Sequence, residues 1–375
     1  MFATETLVKP KIEVRDLALA SYYIKVTGGR PVGIKKVLER IVLSSKKASN
    51  KHITVSYITE PMLFLDQTFA DPDNNWFSLI HAVCDKFDYP VENIEFLSGN
   101  IYAKKSYNAW CSLNNVSKRM KISHDTCYWA SRSIDSGYSK IFDVHPDKHM
   151  TLFIGRPRFQ KNHVVKWYLD NVHGTSRQSN VLGTFLYANV SDADPWFRDN
   201  KHRVKELPGK LESATQDHSN AWLNGDPELF NKNLLRGLFD FTVDYVEHEN
   251  IDYQQYLEFK SEQSWWQEDV LSEKLFKCIL LKRPFIRLGM PHSLQRLKEC
   301  GFRTFDGILF DESYDSIENF YDRCDHILKQ IEYYLDLPYS ELSEKVNSPE
   351  VQEVLEHNYA LAYTIYNKGK TNVST

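Results

Sequence analysis

The sequence is short of several features, and each absence narrows the field. No apolar run approaches the roughly 20 residues needed to cross a bilayer, and the mixed, charged start MFATETLVKPKIEVRD has no signal-peptide pattern. The six cysteines (Cys84, Cys111, Cys127, Cys278, Cys300 and Cys324) lie far apart with no CxxC pair, which argues against a zinc site and a disulfide scaffold. A reducing, cytoplasmic setting is expected. GxGxxG is missing, so the glycine-rich turn TGGRPVG (27–33) is only a weak nucleotide signal. Internal repeats and low-complexity tracts are absent too. An overall basic charge is also lacking: the net charge is -4, so the whole chain gives no support to non-specific nucleic-acid binding.

What is present is a folded, aromatic-rich composition over 375 residues, too long for one comfortable core, so two domains are expected. The charge is uneven. Residues 1–150 carry 20 Lys+Arg against 16 Asp+Glu, and residues 151–375 carry 26 against 34. A basic face is therefore allowed on the first domain.

The first part alternates strand and helix: SYYIKV (21–26), IKKVLERIVL (34–43), HITVSYIT (52–59), WFSLIHAVCDKF (76–87) and NIEFLS (93–98). That order predicts a parallel sheet with crossover helices. A second series opens with the strand MTLFI (150–154), the helix HVVKWYLDNV (163–172) and the strand-like VLGTFLYAN (181–189). Residues 191–229 read as an irregular insertion. A helix from Ser272, a strand over RPFI (283–286), a helix over 292–299, ILFDE (308–312) and long helices over 320–336 and 351–367 complete an α/β pattern, with a domain boundary near 145–150.

Three stretches can carry chemistry. In GRPRF (155–159), Arg156 and Arg158 follow a strand, where open parallel sheets place ligands, and guanidinium forks suit phosphate. The same arginines could simply pair with the acidic surroundings. In SEKLFKCILLKRPFI (272–286), Ser272 is a good N-cap and Leu275, Phe276, Ile279 and Leu280 form one apolar face. Glu273 and Lys277 then read either as an i,i+4 surface pair or, with Lys274, as groups gathered at a helix start that attracts phosphate. In AKKSY and SKRMK, Lys104, Lys105 and Arg119 could grip a polyanion or form a solvated face. Gly289, after RPFIRL, allows close backbone approach. DPD (71–73) and DAD (192–194) have the D-x-D shape of a metal site, yet such pairs arise readily in turns, and no metal is expected.

The run SEKLFKCILLKRPFIRLGMPHSLQRLKECGFRTFDGILFDESYD (272–315) resembles a group of phage and large-virus glycosyltransferase-like proteins, through its S/T-E-K, RPF, GF-TFD and DESYD elements. GRPRF and Glu262 of KSEQSWW match the same pattern; after RPRF the usual HR pair is Gln160-Lys161 here. More distantly, SEKLF looks like the donor-binding segment of α-1,3-fucosyltransferases. The resemblance implies a GT-B-like α/β fold, two Rossmann-like domains facing a cleft. It implies an acceptor domain over 1–148, a nucleotide-sugar domain over 149–340 and a carboxyl-terminal helix, 341–375, packing back on the first. Lys274 with Arg156 or Arg158 would hold the donor diphosphate, and Glu273 the ribose, with Lys277 and Gly289 beside them. No metal or other cofactor would be required. A general base is then needed in the first domain; Glu60 and Asp71 are the candidates, with Asp66 and Asp73 in the same segment. The implied donor is a nucleotide-diphosphate sugar, UDP-glucose or a UDP-pentose such as UDP-arabinose. The favoured acceptor is 5-hydroxymethylcytosine in double-stranded phage DNA, reached through Lys104, Lys105 and Arg119. A glycan or lipopolysaccharide acceptor, or a non-enzymatic sugar-binding or virion protein, are the alternatives.

Overall fold

The computed structural model describes residues 11–17, 21–27, 33–48, 52–57, 63, 74–124, 127–154, 159–185, 196, 199–207, 227–244 and 269–373. The chain divides into two compact units, Met1–Tyr128 with His248–Val270 and Trp129–Glu247 with Leu271–Thr375. Each contains a largely or wholly parallel sheet with helices between its strands.

In the first unit β1 (Lys11–Leu17) pairs antiparallel with β2 (Ser21–Thr27) at one edge. From β2 the sheet continues parallel through β3 (His52–Tyr57), β4 (Ile94–Ser98) and β5 (Lys121–His124). The helices α1 (Ile34–Lys47), α2 (Trp76–Lys86) and α3 (Ala103–Leu113) lie between these strands in sequence. Helical spacing explains α1, which buries Ile34, Leu38, Ile41 and Val42. Asn75 starts α2 by accepting a hydrogen bond from the Ser78 N–H at 2.9 Å. Trp76 lies between Tyr57 and Phe96, with ring centroids 5.1 and 5.3 Å away, so the first turn of α2 is fastened to the sheet.

In the second unit α4 (Cys127–Asp135) precedes β6 (Lys148–Ile154), α5 (Phe159–Asn171) and β7 (Val181–Phe185). Then come α6 (Lys201–Lys205), α7 (Pro227–Leu234), β8 (Gly237–Val243), α8 (Glu273–Leu280) and β9 (Phe285–Leu288). The chain closes with α9 (Ser293–Glu299), α10 (Phe320–Asp336), α11 (Tyr339–Val346) and α12 (Pro349–Val373). All four strands are parallel, in the spatial order β7-β6-β8-β9. Every residue of β8 is buried, the near-continuous burial of a strand covered on both faces. Gly237 opens that strand because a Cβ there would sit 2.7 Å from the Thr151 backbone nitrogen.

Several expectations shift. The strand expected over Arg283–Ile286 runs Phe285–Leu288, because Pro284 has no N–H and only its carbonyl joins the sheet, accepting from Asp240 N–H at 2.9 Å. ILFDE, to which the sequence assigned no element, enters a turn closed by one bridge, Asp306 to Phe310. The described parts of 191–229 hold helix α6 and the start of α7, so that region is not wholly irregular. The closing helix is longer than its apolar pattern. It packs against α8 and α11 of its own unit, where Lys282 meets Glu356 at 2.7 Å and lies over the Tyr359 ring at 4.7 Å. Among the described residues no helix is long and apolar enough to cross a membrane.

Candidate anion site at the carboxyl edge of the second sheet

The order β7-β6-β8-β9 contains a topological switch. From β6 the chain goes to β7 on one side, and β8 then pairs on the other. Crevices outside the carboxyl ends of strands at such a switch are where open α/β sheets bind ligands. Here the two strand ends are Ile154 of β6 and Val243 of β8. Arg156 and Arg158 follow Ile154 in sequence and lie outside the described residues.

Asp244 follows Val243 directly. It is fully buried, and its N–H donates to Leu288 O at 3.0 Å, which ties it to the end of β9. One carboxylate oxygen accepts from Arg287 Nε at 2.7 Å, and the other accepts the Ser272 hydroxyl. Arg287 is as deeply buried as its partner. Breaking such a pair from one side costs about 3–5 kcal/mol, because the remaining charge has no water to turn to. Ser272 in turn caps α8: its side chain accepts from the Lys274 N–H at 3.3 Å, while its carbonyl accepts from Phe276 N–H. One buried carboxylate thus fixes the start of α8 to the ends of β8 and β9.

The first turn of α8 presents Glu273 and Lys274 beside each other, joined at 2.9 Å and keeping 14% and 19% side-chain exposure. Burial alone would raise the Glu273 carboxyl, but Lys274 and Lys277 bring it down to about 2, so it is ionised. An ionised carboxylate only accepts hydrogen bonds, which suits sugar hydroxyls. Lys274 places a cation at the positive end of the helix dipole.

Lys277 is buried rather than forming an exposed pair with Glu273. Its ammonium lies 4.0 Å from the Tyr138 ring centroid and 4.6 Å from that of Phe230, so aromatic faces replace water around it. Burial, opposed by Glu273, pulls it down to about 7. This aromatic box explains how a lysine can occupy a buried turn of α8. On β8, Asp240 is also buried, and burial raises it to about 7 against the pull of Arg283 at 3.7 Å. Among the described residues, neither Asp240 oxygen has a hydrogen-bond partner, nor has the Thr151 hydroxyl. All three line a cavity of about 20 Å³ with Lys274, Lys277 and Cys278, room for about one water.

The close approach at Gly289 is to the protein itself: a Cβ there would sit 2.8 Å from Ser293 Oγ and 3.3 Å from Arg287 Nε. The helix start just after it, on α9, is already occupied. Asp315 accepts from the Leu294 and Gln295 N–H groups at 2.9 and 3.0 Å, so the DESYD segment closes that end with its own carboxylate. Glu312 likewise accepts the Phe305 N–H. The start of α8 therefore differs from that of α9 in meeting a cation, Lys274, beside its amides.

In the first unit Lys104 and Lys105 are exposed on α3, and exposed Arg119 precedes β5, donating to Asn108 Oδ1 at 2.9 Å. Past the end of β4, buried Asn100 accepts from the Tyr102 and Asp269 N–H groups, which pins the segment at 269 to that strand end. Glu60 and Asp71, with Asp66, Asp73 and both D-x-D stretches, lie outside the described residues. Among the described residues no cluster of three His, Cys, Asp or Glu is placed to hold a metal ion. Asp244, Arg287 and Asp240 had escaped the reading of motifs. Their signal was charged residues spaced through the otherwise apolar runs LFDFTVDYV and RPFIRL, where only buried pairing makes a charge tolerable.

No family model matches the chain, and no curated protein matches it. Among solved structures, the catalytic domain of starch synthase IV from Arabidopsis thaliana, bound to ADP and acarbose, matches over 88% of this chain and 70% of its own. Identity is 11% and the TM-score 0.34, too low for either activity or fold to be inferred from the likeness.

Proposed function

We propose that the chain is a glycosyltransferase of GT-B type that takes its sugar from a nucleoside-diphosphate donor. The observation that carries this reading is the start of α8: a Ser272-capped first turn at a topological switch, with Lys274 beside its amides and an ionised Glu273 next to it. The sequence resemblance supports the same assignment. In this reading the diphosphate lies against the α8 amides and Lys274, with Arg156 or Arg158 from the segment after β6. Glu273 accepts from the ribose hydroxyls. The acceptor oxygen attacks the anomeric carbon, the bond to the diphosphate breaks, and a carboxylate such as Glu60 or Asp71 takes the acceptor proton. Lys274 and the helix start offset charge building on the departing phosphate, and such preorganised donors are worth about 3–4 kcal/mol each when removed. Two domains facing a cleft, acceptor-binding and nucleotide-binding, belong to this proposal.

The donor we favour is UDP-glucose or a UDP-pentose such as UDP-arabinose, and the acceptor 5-hydroxymethylcytosine in duplex phage DNA. Exposed Lys104, Lys105 and Arg119, within residues 1–150 where 20 Lys+Arg face 16 Asp+Glu, suit phosphate contacts. Mass spectrometry of hydroxymethylated DNA, incubated with the protein and a panel of UDP-, ADP- and GDP-sugars, tests this. A mass gain of one sugar per modified base supports it. Transfer to lipopolysaccharide or glycan alone overturns the acceptor, and neither transfer nor nucleotide binding leaves a non-enzymatic sugar-binding or virion protein.

A further inference from the structure

We propose that Asp244 is a positioning residue: by bonding Ser272 and Arg287 together, it sets where the first turn of α8 stands for an anion. This rests on the diphosphate site proposed above and adds a residue that does not itself touch the ligand. The geometry contains an apparent conflict. A buried carboxylate directly behind an anion site repels the anion, so a site optimised for charge alone would not keep one there. Arg287 at 2.7 Å neutralises most of that repulsion, and the Asp244–Arg287 pair is left as a polar strut in a dry setting. Its use is directional. One oxygen faces the end of β9 through Arg287 and the other faces the α8 cap through the Ser272 hydroxyl. Ser272 then passes the constraint on, its Oγ accepting from Lys274 N–H and its carbonyl from Phe276 N–H. Arg287 is itself confined by Gly289, where any Cβ would lie 3.3 Å from Nε, and it reaches toward Ser293 O. The residues that would meet the phosphate are thus aligned by a carboxylate just beneath them.

Two substitutions separate position from charge because their electrostatic predictions differ while their positional ones agree. Asp244→Asn keeps the volume but turns one acceptor into an NH2 group, which cannot accept from both partners. It also removes one negative charge beside the anion, so charge alone predicts tighter binding. Ser272→Ala leaves the charge unchanged, so charge alone predicts no effect. The proposal expects both variants to bind inorganic pyrophosphate and UDP at least tenfold more weakly, with uridine binding unchanged. Tighter or unchanged pyrophosphate and UDP binding by Asp244→Asn overturns it, as does an equal loss for uridine. Hydrogen exchange gives a ligand-free readout. The Phe276 amide should exchange at least tenfold faster in Asp244→Asn, with the Leu281 amide at the far end of the helix unchanged. Equal exchange at Phe276, or a uniform rise along α8, overturns the positioning role. If the native protein binds neither pyrophosphate nor any nucleotide, the functional reading fails by itself, and the exchange result still decides whether Asp244 sets the helix start.

Discussion

Replacing Lys277 with methionine keeps an unbranched side chain one atom shorter and removes its charge, which makes the aromatic box around it a quantitative test. The folded protein holds this ammonium at about 7, against 10.5 for an ordinary lysine. Between those values the folded state binds fewer protons than the unfolded one, so Lys277 makes stability rise with pH across that window. The interval corresponds to roughly 5 kcal/mol. Below pH 7 the cost of burying the charge is fully present, and Lys277→Met should then be the more stable protein. Above pH 10 that advantage should vanish. Urea unfolding of both proteins at intervals from pH 6 to 10.5 measures the difference, in which groups not coupled to Lys277 cancel. Asp240, raised to about 7 by burial, acts between 3.8 and 7, outside the window. Parallel stability curves for the two proteins from pH 7 to 10 would refute the reasoning.

Further outcomes follow from the same geometry. Glu273 is held at about 2 against 4.5, so its contribution is complete above pH 4.5 and is lost as pH falls through 2. Acid unfolding of Glu273→Gln should therefore lack a component of roughly 3 kcal/mol between those values; an unchanged acid limb would contradict the pairing with Lys274. Asp315→Ala should cost about 1–2 kcal/mol in urea unfolding, because it uncaps the Leu294 and Gln295 amides. A loss below about 0.3 kcal/mol would show that the cap is not used, since measured caps fall well above that.

Much of the second unit was legible in its sequence because apolar spacing and capping are local signals. Ser272 was readable as an N-cap, and the face of Leu275, Phe276, Ile279 and Leu280 as a packed stripe; both stand in the structure. The apolar side chains of Phe302, Phe305 and Phe310 are buried. The misplaced features depend on partners far away in sequence. Nothing near Lys277 announces Tyr138 and Phe230, so its burial could not be read from an i,i+4 rule. The turn around ILFDE likewise depends on its surroundings, with Glu312 accepting from Phe305 and Tyr334 bonding the Leu309 carbonyl. The order β7-β6-β8-β9, which places the candidate site, is a tertiary property that composition cannot carry.

The central claim is that the first turn of α8 holds a diphosphate through Lys274, and calorimetric titration of UDP and uridine into the native protein and Lys274→Ala tests it most directly. The account predicts that the substitution weakens UDP binding at least tenfold and leaves uridine binding unchanged. UDP binding that is equally tight in both proteins, or a loss of the same size for uridine, would contradict it.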